Sequence, residues 1–78
     1  MRPQVEKFVN KVNGLYEVDY GDFKRKVGQY LRQLDQEEGL DAKDRLLINE
    51  IRNQVVFMGP GDVEMGRKLT LELAKKLG

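Results

Sequence analysis

The chain has no cysteine, histidine, tryptophan or serine, and its sole threonine is Thr70. Without cysteine there is no disulfide and no thiolate ligand. Without histidine the commonest neutral metal ligand and the usual general base are missing. Carboxylates can still hold a hard cation, but no stretch has the spaced acidic loop of a calcium hand. The thirteen acidic residues are dispersed along a chain of 78, too short to enclose a substrate cavity once its core is filled. The expectation is a protein that is not an enzyme and that takes no cofactor and no metal.

Long hydrophobic runs are missing as well. No apolar run follows Arg2, and no segment reaches the length needed to cross a bilayer, so neither a classical secretion signal nor a membrane span is expected. A cytoplasmic setting is the matching expectation, because a cysteine-free chain suits a reducing compartment. An excess of one charge is also lacking: Lys and Arg number 14 against 13 Asp and Glu, a formal +1. The bases and acids are spread evenly over both halves, which excludes a polybasic arm or an acidic tail.

Residues 1–78 read as one small helical domain whose core supplies a narrow margin of stability. With disulfides and metals removed as staples, self-association remains, so a homodimer is an expected state. The densest apolar stretch runs from Asp41 to Met58, where Leu47, Ile48, Ile51, Val55 and Met58 recur at helical spacing. This helix is expected to be the one on which the others pack. Asp41 and Asp44 form a capping-box pattern with Asp in place of Glu, which starts the helix at Ala42. Leu46, Leu47 and Ile48 in succession cannot all face one way, so some apolar surface here points away from a simple core.

Upstream, Pro3 suits a first helical turn, and Val5, Phe8, Val9 and Val12 give one stripe that Gly14 ends. The segment 15–20 is apolar for a connector and is expected to be a packed loop with Tyr16 and Tyr20 over the bundle edge. Asp19 or Asp22 caps a second helix carrying Tyr20, Phe23, Val27, Tyr30, Leu31 and Leu34, which continues to about Glu38 and ends at Gly39. Gly28 inside it marks either a close helix crossing or a tolerated surface position. After the Gly59-Pro60-Gly61 break, Asp62 caps a last helix with Val63, Leu69, Leu73, Ala74 and Leu77. The pattern predicts an all-α, compact bundle of four short helices, without internal repeats. Its alternative is a small α+β fold in which 15–20 and 55–58 pair as a short two-stranded element.

Each candidate site has an ordinary reading beside it. The turn from Met58 to Asp62 precedes a helix but lacks the spacing and the Lys-Ser/Thr pair of a phosphate loop, and reads as a break with its cap. Lys24, Arg25, Arg32 and Arg52 are the candidate nucleic-acid contacts, on the basic faces of the second and third helices. A net charge of +1 gives that no support, and a solvated helix face is the plainer account. Basic residues near the C-terminus resemble an amphipathic membrane helix, yet Leu71 sits among them and no aromatic anchor is present. Leu71 is either exposed as a contact or covered by the N-terminal segment.

The preferred function is a non-enzymatic protein–protein interaction module, an inhibitor, adaptor or regulatory subunit. It buries an apolar patch with a charged rim, and the candidate residues are Leu46, Val56, Phe57, Leu71 and Tyr16. A small nucleic-acid-binding regulator is the alternative.

Overall fold

A computed structural model describes residues 1–57 and 63–78, with Val56 and Phe57 described by their backbone alone. Four helices follow in order: α1 Pro3–Asn13, α2 Tyr20–Asp35, α3 Ala42–Phe57 and α4 Val63–Lys75. There is no strand among the described residues. The all-α bundle is therefore the observed fold, and the two-stranded alternative is not: 15–19 is irregular loop, Tyr20 opens α2 and 55–57 continues α3. The Val-Val-Phe run there has β propensity, but a helix already propagating from a strong cap carries it along.

The local starts follow from single residues. Pro3 opens α1, where its missing N–H is not needed. The Asp19 carboxylate accepts the Asp22 N–H at 2.8 Å and caps α2. At α3 the box is reciprocal: Asp44 N–H donates to Asp41 Oδ1 at 2.9 Å, and Asp41 N–H donates to Asp44 Oδ2 at 3.1 Å. The expected cap of α4 at Asp62 lies outside the described residues.

α2 ends three residues earlier than expected, at Asp35. Gln36 and Glu37 donate to the carbonyls three residues back, at 3.3 and 3.0 Å, which tightens the last turn. Gly39, at φ +86°, then turns the chain through a region that favours glycine, and Asp41 starts α3.

The helices pack as a ring, α1 on α2, α2 on α3, α3 on α4 and α4 back on α1. Long-range bonds fix their directions. The Gln4 side chain donates to the Glu38 carbonyl at 3.2 Å, which puts the start of α1 beside the end of α2. Arg67, early in α4, donates to the Asn13 carbonyl at the end of α1. The bundle is thus up-down-up-down, 34 Å in its longest extent.

No helix is central, contrary to the expectation for α3. Among the described residues the buried core draws Val5, Phe8 and Val12 from α1, Phe23, Val27, Leu31 and Leu34 from α2, Ile48, Ile51 and Val55 from α3, and Leu73 and Ala74 from α4. Leu15 and Leu77 close it from just outside the helices. Thr70 is buried with them and satisfies its hydroxyl on the Gly66 carbonyl at 2.8 Å. Gly28 proves to be a tolerated position and not a close crossing: a Cβ built there meets nothing within 4 Å.

Candidate functional site

The expected protein-binding residues do not form one patch. Leu46 is 71% exposed in the first turns of α3. Tyr16 is 64% exposed in the α1–α2 loop, at the opposite end of the bundle. Leu71 is half-buried and packs against the core, so it is not a free contact. Val56 and Phe57 have side chains outside the described residues. Met65, 65% exposed at the start of α4, was not anticipated, because a single Met beside Gly66 gives no periodic signal of which way it points.

Tyr16 is exposed where the loop was expected to lay it over the bundle edge. Leu15 and Val18 are the loop residues that turn inward. The Arg67 guanidinium stands 5.9 Å from the centre of the Tyr16 ring and also pairs with Glu64. Tyr20 and Tyr30 are half-buried, as boundary residues should be, with Lys24 at 4.6 Å over the first ring and Lys11 at 5.4 Å over the second.

Leu46 differs from the other exposed apolar residues in its setting. Ile48, Ile51 and Val55 define the buried side of α3, and at 100° per residue Leu46 lies on the opposite side. Asn49, Glu50 and Asn53 are exposed with it. α3 thus has an aliphatic side chain on both its inner and its outer surface, as the Leu46-Leu47-Ile48 run requires. Leu47 between them is half-buried.

The nucleic-acid candidates fall along one seam. Arg45 donates to the Asp35 carbonyl and carboxylate, both at 2.9 Å, so this side of α3 turns toward α2. Arg52, two turns after Arg45, is on the same side and bonds the Asn49 side chain at 2.6 Å. On α2, Lys24 and Gly28 share the stripe of Asp35, and Arg25 and Arg32 lie next to it on the exposed surface. Arg25 pairs with Asp22 at 2.8 Å.

At the end of the bundle where Leu46 lies, Arg2 ties three helices together. Its guanidinium donates to both Asp44 carboxylate oxygens, at 3.0 and 2.8 Å, and to the Leu77 carbonyl at 2.6 Å. Its own N–H donates to the Gly78 carbonyl, also at 2.6 Å. The bidentate Arg2 contact, with the Asp41 backbone N–H, holds the Asp44 carboxyl at about 2, below the usual carboxylate range. The Arg2 pKa is raised by the same hydrogen bond. This cluster is a structural clasp, with every member occupied by another.

Other features suit binding chemistry less well. An open groove of about 470 Å³ between α1 and α2 is lined by amide and charged side chains with Phe8, Tyr30 and Leu34 at its floor, and Lys11 already bonds Gln33 there at 2.6 Å. No group of three acidic residues could hold a metal ion among the described residues. No described helix is long and apolar enough to cross a membrane. A comparison of the chain with protein-family models, curated proteins and solved structures finds no significant match.

Proposed function

We propose that the chain is a non-enzymatic protein–protein interaction module of the cytoplasm, an inhibitor, adaptor or regulatory subunit, whose contact centres on Leu46. The observation that carries the reading is the position of Leu46, 71% exposed on the side of α3 turned away from the described core. An exposed leucine has little to do in folding, and a neighbouring surface that covers it gains its burial. The amides and charges around it supply a rim that selects the partner. The residue inventory points the same way, since cysteine, serine and histidine are absent from the sequence.

The test uses the parent chain and Leu46→Glu as paired baits in capture from the native host, with light scattering on both. The expected result is a partner held by the parent and lost by the variant, while the two melt within a few degrees of each other. A dimer lost with the same substitution identifies a second copy as that partner. An identical set of captured proteins and an identical mass for both chains would exclude Leu46 as the contact.

A further inference from the structure

Resting on that reading, we infer that the partner of this surface is an acidic amphipathic helix of another protein, seated along α2 and α3 with an apolar residue on Leu46 and carboxylates on Arg25, Arg32 and Arg52. The seam between these helices joins five cationic side chains, Lys24, Arg25, Arg32, Arg45 and Arg52, to two carboxylates, Asp22 and Asp35. That local excess stands out in a chain whose total is +1. Arg32 has no hydrogen-bond or ion-pair partner among the described residues, and Arg52 bonds only the neutral Asn49 amide. Both therefore keep their charge available. Arg45 and Arg25 are paired, yet their side chains are 49% and 63% exposed, where an incoming carboxylate can share them.

Leu46 borders this positive strip, with Asn49 and Asn53 between it and the Arg45–Arg52 side of α3, and the exposed Glu50 lies on the far side of Leu46 from the strip. Apolar anchor and cations together match a helix with leucines at i, i+4 spacing and Glu or Asp flanking them. A nucleic acid fits less well. An exposed leucine would gain nothing from a phosphate backbone, and the strip offers no exposed aromatic ring for stacking among the described residues.

The experiment is a titration of the full chain, followed residue by residue by amide NMR, with three probes: a synthetic Leu/Glu helical peptide, its Leu/Lys counterpart, and a random-sequence DNA duplex. The expected result is perturbation along α2 and α3 by the Leu/Glu peptide, much weaker for Leu/Lys, with affinity reduced roughly tenfold by Arg25→Glu with Arg32→Glu and lost in Leu46→Glu. Thermal melts of the variants verify that each is folded. Equal binding of both peptides, dependent on Leu46 alone, would overturn the acidic partner and leave the interaction surface standing. Duplex binding on the same strip, weakened by the arginine reversals but not by Leu46→Ala, would replace the proposal by nucleic-acid recognition. Silence from all three probes, or perturbation confined to Tyr16 and Met65, would remove the inference.

Discussion

Leu31→Ala and Leu46→Ala remove the same atoms from two sides of the bundle, and their contrast separates what folds the chain from what is left over. Leu31 is fully buried in α2, where truncation forfeits the transfer of the lost methyl and methylene groups and leaves a cavity, at about 2–5 kcal/mol. Leu46 is 71% exposed, where the same change costs no more than about 0.5 kcal/mol, partly offset by the good helix propensity of alanine. For a chain of 78 residues the whole stability is on the order of 4–12 kcal/mol. The first variant therefore loses a large fraction of its margin, and a loss of about 3 kcal/mol lowers Tm by roughly 12–24 °C in a domain of this size.

Urea unfolding followed by far-ultraviolet circular dichroism measures both, the expected result being a lower midpoint for Leu31→Ala at an unchanged slope. Two outcomes would contradict the packing described for these leucines. A Leu31→Ala cost under about 1 kcal/mol would mean that the site is not the close-packed position the structure gives it. A Leu46→Ala cost above about 2 kcal/mol would mean that Leu46 is already covered in solution; dependence on protein concentration would then identify a second copy as the cover.

Gly28→Ala should stabilise the domain by up to about 1 kcal/mol, since the added methyl meets nothing within 4 Å and the helix gains propensity; the same denaturant titration reads it. Asp19→Ala should cost about 1 kcal/mol by leaving the Asp22 N–H at the start of α2 without its side-chain acceptor, with Asp19→Asn recovering most of the loss. The Asp44 carboxyl is held low in the folded state, so its contribution is complete above the unfolded value near 4 and is lost as pH falls toward about 2. Acid titrations of the parent and Asp44→Asn should accordingly converge in stability across that window, and parallel curves would deny the clasp any part in acid unfolding.

Much of the fold is legible because its signals are local. Pro3 and Gly14 bracket α1, and Asp41 with Asp44 marks the start of α3 through bonds between residues three apart. The end of α2 is less so. Gln36, Glu37 and Glu38 have good intrinsic helix propensity, and what stops the helix is the geometry of delivering the chain through Gly39 into α3. The site divides in the same manner. That one of Leu46, Leu47 and Ile48 must face outward follows from helical period alone, and it is Leu46. The Arg67 contact with Tyr16 joins elements distant in the chain, and so does the Arg2 clasp to Asp44 and Leu77. No spacing rule reaches across such separations.

The two kinds of ion pair in this molecule also divide its surface by what can change partners. Arg2 holds Asp44 with both carboxylate oxygens engaged, and adds the Leu77 backbone carbonyl just past the end of α4; the Asp44 side chain is only 15% exposed. Opening that pair uncouples three helix ends at once, so its arginine is committed to the fold. Arg25 and Arg45 instead meet Asp22 and Asp35 at exposed positions, where water already competes for both partners and pairing contributes little. Such side chains can turn to a new carboxylate without loss to the bundle. A partner arriving over α2 and α3 would therefore meet a surface whose charges are held loosely and whose leucine is uncovered, while the clasp beneath keeps the helices in place.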